Sequence, residues 1–500
     1  MSLQFAAPTD GAVPITFASK ETWEAIRATL AAPAAAFAQS AGFEGSPGQC
    51  QLLPDAQGGL AGVLFGVENA QARDRDPMLP GRLASLLPAA TYRFANAPHD
   101  AGLAALAFLL GLYRFTRYRA ATKAQPSLLA PDGVDGAAIE RVAQAVAFGR
   151  DLVNTPANDL GPDALEREVL ALAESFGAKA ETIRGEDLIA RNLPLIHAVG
   201  RAAGQPPRLV DFTWGRPDAP KVTLVGKGVT FDTGGLDIKP ASGMEIMKKD
   251  MGGAAAALAL SRMIMAAGLD VRLRTLVPIV ENSISADAFR PGDVFKSRKG
   301  LTVEIGNTDA EGRLILADAL ALADEEAPAL LFDFATLTGA ARVALGPDLP
   351  PFYSDDEALA ADVARHAAAT RDPLWRLPLW PPYDKLVAGK IADLTNAPGS
   401  PFAGSITAAL FLRRFVGNAT AWAHFDIYAW NPSARAHGPE GGEVQAARAL
   451  FALLGERFGD TSLTKRSQRL GLVEGQFPSS SQEEFDSSND EIAGLFGQGS

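Results

Sequence analysis

From residue 222 to residue 337, short and almost unbroken apolar runs alternate with alanine-rich segments long enough to be helices. Strand-like runs stand at 222–225, 274–280, 301–305 and 329–337, with helices expected over about 253–267 and 312–326. Strands covered on both faces read as continuous apolar runs, and a helix between two of them makes the pair parallel. The alternation predicts an α/β chain whose main sheet is mixed but mainly parallel and is covered by helices. A further strand is expected over 420–427 and a closing helix over 443–454.

Five hundred residues exceed what one hydrophobic core usually spans. Residues 1–125 mix short β-rich pieces, 14–17 and 62–67, with alanine-rich helical ones, and read as a smaller N-terminal α/β domain. Turn formers crowd 126–137, the expected linker. The larger domain, 138–460, opens with a helix that Asn154-Thr-Pro-Ala-Asn-Asp stops. Residues 461–500 carry serine and acidic tracts with little apolar periodicity, and read as a tail unable to bury enough surface to fold alone.

The chemistry is concentrated in three glycine-punctuated blocks. They hold Lys227, Asp232 and Lys239, then Met247 and Asp250, then Asp309, Glu311 and Arg313. Asp232 and Asp309 each follow a strand candidate, where an open α/β sheet gathers its ligands beyond the strand carboxyl ends. Glu311 stands just before a helix start, a favourable place for an anion. The four carboxylates sum to −4, which two dications would neutralise; left alone they would repel and some would protonate. All-oxygen carboxylate ligation points to Mn, Mg or Zn. Paired ions of this kind serve hydrolysis at a carbonyl or at a phosphoryl group. Lys227 beside dications is expected to be driven neutral, and a neutral amine is itself a ligand. Lys239 is placed to stabilise charge growing on a substrate oxygen, and Arg313 to hold a carboxylate or bicarbonate.

The formal net charge of −12 argues against a general nucleic-acid binder. The apolar run 101–113 is too short for a bilayer span of roughly twenty residues and reads as a buried helix. One cysteine, Cys50, makes no intrachain disulfide, and the N-terminus shows no signal-peptide pattern. The expectation is a cytoplasmic protein.

Asn307-Thr-Asp-Ala-Glu-Gly-Arg-Leu314 resembles the signature of the leucyl aminopeptidase (cytosol aminopeptidase) family. The other two blocks agree in order and spacing. So do Leu152-Val-Asn-Thr-Pro-Ala-Asn158, Ala335-Thr-Leu-Thr-Gly-Ala340, Ala392-Asp-Leu-Thr-Asn396 and Gly404-Ser-Ile-Thr-Ala-Ala-Leu-Phe411. The likeness covers roughly 140–455; the N-terminal part resembles that family's variable α/β domain only in size and position. The resemblance implies a homohexameric aminopeptidase that removes N-terminal residues from peptides with two metal ions, usually zinc or manganese. One ion would be held by Lys227, Asp232, Asp250 and Glu311, the other by Asp232, Asp309 and Glu311. Lys239 would stabilise the tetrahedral gem-diolate, and Arg313 would hold a bicarbonate as general base. Thr336, Leu337 and Gly339 match the substrate-binding loop, and Met247 an apolar wall of the first side-chain pocket.

Other polar residues carry weaker expectations. His424 reads as a satisfied core histidine, and His437 as a surface histidine in a loop near the pocket. Asp237, Lys248 and Lys249 read as solvated or structural, while Asp393 and Asn396 have no evident contact with the reacting groups.

Overall fold

The computed structural model describes residues 3–120 and 122–459. The expected tail, 461–500, lies outside them. The N-terminal sheet contains β1 (Val13–Ala18), β2 (Cys50–Pro54), β3 (Leu60–Gly66), β4 (Thr91–Phe94) and β5 (Ser127–Leu128), in the order β2-β3-β1-β4-β5. Only β2 runs antiparallel to its neighbour. β5 falls inside the expected linker, and its pairing with β4 extends this sheet to residue 128. The apolar run 101–113 forms the helix Ala101–Gly111, capped by the Asp100 side chain and almost wholly buried. It packs against the helix Gly136–Asn154, so one continuous core runs from the first sheet into the second.

The strands that follow include β6 (Lys179–Arg184), β7 (Arg208–Trp214), β8 (Lys221–Gly226), β9 (Gly228–Asp232), β10 (Arg272–Asn282) and β11 (Val294–Lys296). After these come β12 (Thr302–Glu304), β13 (Leu330–Ala335), β14 (Pro351–Tyr353), β15 (Trp375–Arg376), β16 (Leu394–Thr395) and β17 (Ala421–Asp426). The main sheet runs β15-β14-β17-β13-β8-β10-β7-β6, with β9 paired to β10. Its centre, β17-β13-β8-β10, is parallel throughout, while β6, β7 and β14 add antiparallel pairs.

Every residue of β13 is buried, because both sheet faces are covered. Leu330, Phe332 and Phe334 enter the core beneath the helices Gly136–Asn154, Gly252–Ala267 and Ala447–Phe458. Leu331 and Ala335 enter the opposite core with the helices Gly312–Asp324 and Gly404–Arg413. Each fully buried Leu or Phe contributes about 1.5–3 kcal/mol, so register is tightly specified here.

The strand candidate at 301–305 behaves differently. It shortens to β12 and joins a separate small sheet, β11-β12-β16. Of its residues only Val303 is buried, with Thr302 and Glu304 partly exposed, a half-buried pattern unsuited to the centre of a doubly covered sheet. Asp309 therefore reaches the site from a satellite sheet rather than from the end of a main-sheet strand. Among the described residues, no helix is long and apolar enough to cross a membrane.

Candidate active site

Lys227 occupies the single-residue break between β8 and β9. Its N–H donates to the Phe334 carbonyl at 2.9 Å, and its carbonyl accepts from Ala254 N at 2.8 Å. This ties the break to β13 on one side and to the start of the helix Gly252–Ala267 on the other. The side chain is 3% exposed, with Nζ 2.8 Å from Asp250 Oδ2 and 2.9 Å from Glu311 Oε1. Gly312 makes that approach possible: a Cβ there would lie 2.6 Å from Lys227 Cε and 2.7 Å from Nζ.

Asp232 closes β9, and its Oδ1 accepts from Gly234 N at 2.9 Å and from Asn282 Nδ2 at 2.8 Å. Its Oδ2 lies 2.8 Å from Lys239 Nζ, which also pairs with Asp309 Oδ1. Asp250 sits in the 3-10 turn Met247–Met251 and accepts from Thr336 Oγ1 at 2.7 Å. Glu311 stands immediately before the helix Gly312–Asp324. Carboxylate oxygens of Asp232, Asp309 and Glu311 all fall within 4.8 Å of one another.

Such crowding has electrostatic consequences. Burial, reinforced by Asp232 and Asp250, pushes the Glu311 carboxyl up to about 8 against the pull of the two lysines. Burial and Asp232 push Asp309 up to about 6. Burial acts against the charge on Asp250, but Lys227 and Lys249 prevail and hold it below the usual carboxylate range. Burial opposes the Lys227 charge as well, yet Asp250, Glu311 and Asp232 override it and raise the ammonium above its ordinary value. With carboxylates alone around it Lys227 keeps its proton; the neutral amine expected from the sequence requires cations to displace that proton.

Several oxygens here have no hydrogen-bond partner: Asp250 Oδ2, Asp309 Oδ1 and both oxygens of Glu311. Three of these lie at ion-pair distance from a lysine without hydrogen-bond geometry. Glu311 Oε2 has neither a hydrogen bond nor an ion pair, and the four clustered carboxylates outnumber Lys227 and Lys239, an excess of buried negative charge that is costly unless cations complete it. The donor set fits divalent cations. Arg313 is similar in kind: its NH1 donates to the Asn396 carbonyl at 2.6 Å, while Nε is buried without a partner. Burial takes its guanidinium down to about 10. An unpaired donor on a buried cation fits a small anion.

Of the site residues expected from the sequence, Lys227, Asp232, Lys239, Asp250, Asp309, Glu311 and Thr336 are brought into direct contact, while Gly339 is exposed at the start of the helix Gly339–Leu345, directly after the loop 336–338. Thr336 and Leu337 form the loop leaving β13, and Lys227 Nζ donates to the Thr336 carbonyl at 3.0 Å. Met247 is 8% exposed in the turn that carries Asp250.

Three residues to which the sequence assigned no role hold the site in place. Asn282 aims Asp232. Asn396 accepts from Gly306 N and donates to the carbonyls of Asn307 and Ala310, clamping the loop that bears Asp309. Asp426 binds the loop after β13. One signal for Asp426 was available, since an acid closing an apolar strand is also how Asp232 is placed.

The two histidines fall out differently. His424 is a core residue, its Nδ1 2.6 Å from Asp333 Oδ1 and its Nε2 unpartnered. His437 is half-buried rather than fully exposed: Nδ1 is shut from solvent without a partner, and burial drives the imidazole down to about 3. Lys249 is structural, 1% exposed with Nζ 4.7 Å from the centre of the Tyr428 ring, and burial lowers it to about 7. Asp237 accepts from Thr308 N at 2.8 Å and braces the same loop as Asn396.

Known proteins resemble this chain in sequence and fold. Residues 147–451 match the model of the cytosol aminopeptidase family catalytic domain, and residues 13–131 that of the M17 aminopeptidase N-terminal domain. A probable cytosol aminopeptidase of Syntrophotalea carbinolica is 42% identical over 365 residues, covering 69% of this chain and 73% of that protein. The crystal structure of a cytosol aminopeptidase from Coxiella burnetii superposes with a TM-score of 0.87 at 43% identity, covering 92% of this chain and 100% of that one. The bottromycin maturation enzyme BotP, in complex with Mn, gives a TM-score of 0.79 at 34% identity, covering 89% of this chain and 99% of that one. With both domains matched and the carboxylate–lysine cluster assembled from all three sequence blocks, this chain belongs to the cytosol aminopeptidase family, metallopeptidases acting on peptides.

Proposed function

We propose that the protein removes N-terminal residues from peptides with two divalent ions held by Lys227, Asp232, Asp250, Asp309 and Glu311. The observation that carries this reading is the buried cluster of Asp232, Asp250, Asp309 and Glu311, whose oxygens without a hydrogen bond on the last three face only lysine ammoniums or, at Glu311 Oε2, nothing. One ion would take Lys227, Asp232, Asp250 and Glu311, and the other Asp232, Asp309 and Glu311. Manganese is favoured by the Mn complex of BotP, with zinc and magnesium chemically compatible with the same ligands. When bound, the ions supply Lewis acidity at the scissile carbonyl and make water a usable nucleophile near neutral pH.

The chain's own residues supply the rest. Lys239 brings an ammonium to the oxygen that becomes negative as the carbonyl carbon turns tetrahedral. Arg313 offers its free Nε to a bicarbonate, which would serve as the base for the attacking water's proton. Thr336, Leu337 and Gly339 hold the substrate backbone, and Met247 forms an apolar wall for the first side chain. The catalytic work is assigned to the domain 138–460, following a domain at 1–125 and a linker at 126–137. A cytoplasmic homohexamer completes the proposal by family likeness.

A panel of aminoacyl-amides and dipeptides, with and without N-acetylation, tests the reading after loading with Mn or Zn. Cleavage confined to free-amine substrates is the expected result. Turnover of acetylated ones, or none at all, would overturn it.

Metal loading is also expected to release protons between about pH 6 and 8, because Glu311 and Lys227 carry them in the metal-free protein. Titration calorimetry with Mn in buffers of differing ionisation enthalpy reads that release, and its absence would argue against these ligands. Gly312→Ala should displace the Lys227 amine, because the added Cβ would lie 2.7 Å from Nζ and 2.6 Å from Cε. The expected result is weaker metal retention on dialysis with the fold unchanged by circular dichroism.

A further inference from the structure

Asp426 closes β17 with both carboxylate oxygens committed. Oδ1 accepts from Leu337 N and Thr338 N, each at 3.1 Å. Oδ2 accepts from Thr338 Oγ1 at 2.6 Å and Ser405 Oγ at 2.9 Å. Ser405 Oγ in turn accepts from Tyr353 OH at 2.7 Å. The Asp426 side chain is 2% exposed and stands directly across from Ala335, the last residue of β13.

That position is where the chain leaves the sheet to form the loop 336–338. From the opposite side the same loop is tied to the carboxylate cluster, through Lys227 Nζ to the Thr336 carbonyl and Thr336 Oγ1 to Asp250. The loop is thus held between two anchors. One is built of groups assigned to the metal centre, and the other is Asp426.

We propose that Asp426 is a positioning residue for peptide hydrolysis, fixing the Thr336–Leu337–Thr338 loop so that its backbone meets the substrate in register with the carboxylate cluster. The inference rests on the reading that this loop holds the substrate. Only a carboxylate presents acceptors alone, and the loop and Ser405 present donors alone to it. An asparagine has the same shape but turns an NH2 toward at least two of those donors. Thr338 Oγ1 already accepts from Ala341 N at 3.2 Å, so its proton would lose its acceptor. The loop would then sit loosely, and small misplacements of substrate-holding groups can cost about 10²-fold in rate.

The test is Asp426→Asn in the full-length protein, assayed beside wild type with a dipeptide after Mn loading. The expected result is a kcat/KM lower by about 10²-fold, divided between a raised KM and a reduced kcat. Bound Mn per chain, measured by plasma emission, should equal that of wild type. A merely structural defect would shrink the folded, active fraction and leave KM where it was, which would overturn the proposal. Mn lost in step with activity would also overturn it, by making Asp426 a support of the metal site alone. Should Asp426→Asn fail to fold, the double variant Ser405→Ala with Tyr353→Phe withdraws the support behind Oδ2; a raised KM supports the proposal, and a KM equal to wild type overturns it. Failure of wild type to cleave the dipeptide would instead refute the aminopeptidase reading on which the inference stands.

Discussion

Glu311→Gln is expected to lower peptide hydrolysis by about 10³-fold or more while making the metal-free protein more stable above about pH 8. The first effect follows from the ligand's place between both proposed ions. Gln is isosteric but neutral and cannot offset a dication. Lewis-acid stabilisation is worth several kcal/mol, at about 1.4 kcal/mol per factor of ten in rate. The second effect follows from linkage. Glu311 is 1% exposed and its carboxyl is pushed up to about 8 in the folded protein, from an ordinary value near 4.5. A folded-state value raised in this way gives stability that is fully present below the ordinary value and lost as pH rises through the raised one. Metal-free wild type should therefore lose thermal stability from about pH 4.5 to pH 8, by an amount on the order of a few kcal/mol. Glu311→Gln should flatten that slope. Thermal melts of chelator-treated protein across this range measure it, alongside peptidase assays of the reloaded enzyme. Retained turnover would sink the ligand assignment, and an unchanged slope would show that the buried carboxylate was not the source.

Lys239→Ala is expected to cut kcat by roughly 10²–10³-fold, with KM and metal content little changed. In the metal-free arrangement the ammonium lies between Asp232 and Asp309, and these carboxylates with Glu311 raise it above its ordinary value despite partial burial. Removing it deletes a cation from the neighbourhood of the proposed ions, so metal retention should hold or improve. Arginine is not expected to rescue, since its broad planar fork replaces a compact point charge. Steady-state kinetics with metal analysis on one preparation separate these outcomes. An unchanged kcat would remove the role given to Lys239. A fall in kcat together with lost metal would turn it into a support for the ligands.

The sequence was most informative where a property is local. β13 reads directly as a strand buried on both faces, and the helix Gly252–Ala267 as an apolar helix packed beneath it. The blocks around Lys227, Asp250 and Asp309 were legible as one site because their carboxylates and lysines share one metal chemistry, although only Lys227 and Asp232 stand at main-sheet strand ends. β12 was misplaced because its apolar content resembles a strand of the main sheet, whereas Thr302 and Glu304 leave it only half buried. Asn396 was named but given no role, and Asp426 was passed over, because each acts on loops some 80–90 residues away in sequence. Nothing in the residues beside Asn396 announces that partnership, and Asp426 offers only its place at the end of an apolar strand. His437 shows the converse: a loop rich in glycine and proline looks exposed until its surroundings close over Nδ1.

Residue types and their spacing by themselves determined the central strands β8, β10, β13 and β17 with the helices that cover them, the family, and the three blocks from which the proposed site is drawn. Those depend on periodicity and on short blocks that stay together whatever the rest of the chain does. Only the tertiary structure decided the protonation of the cluster, leaving Lys227 charged and Glu311 pushed up to about 8. It alone revealed the braces at Asn282, Asn396 and Asp426. The physical reason is that desolvation and hydrogen bonding depend on what surrounds a group in space, and here those surroundings come from segments scores of residues apart.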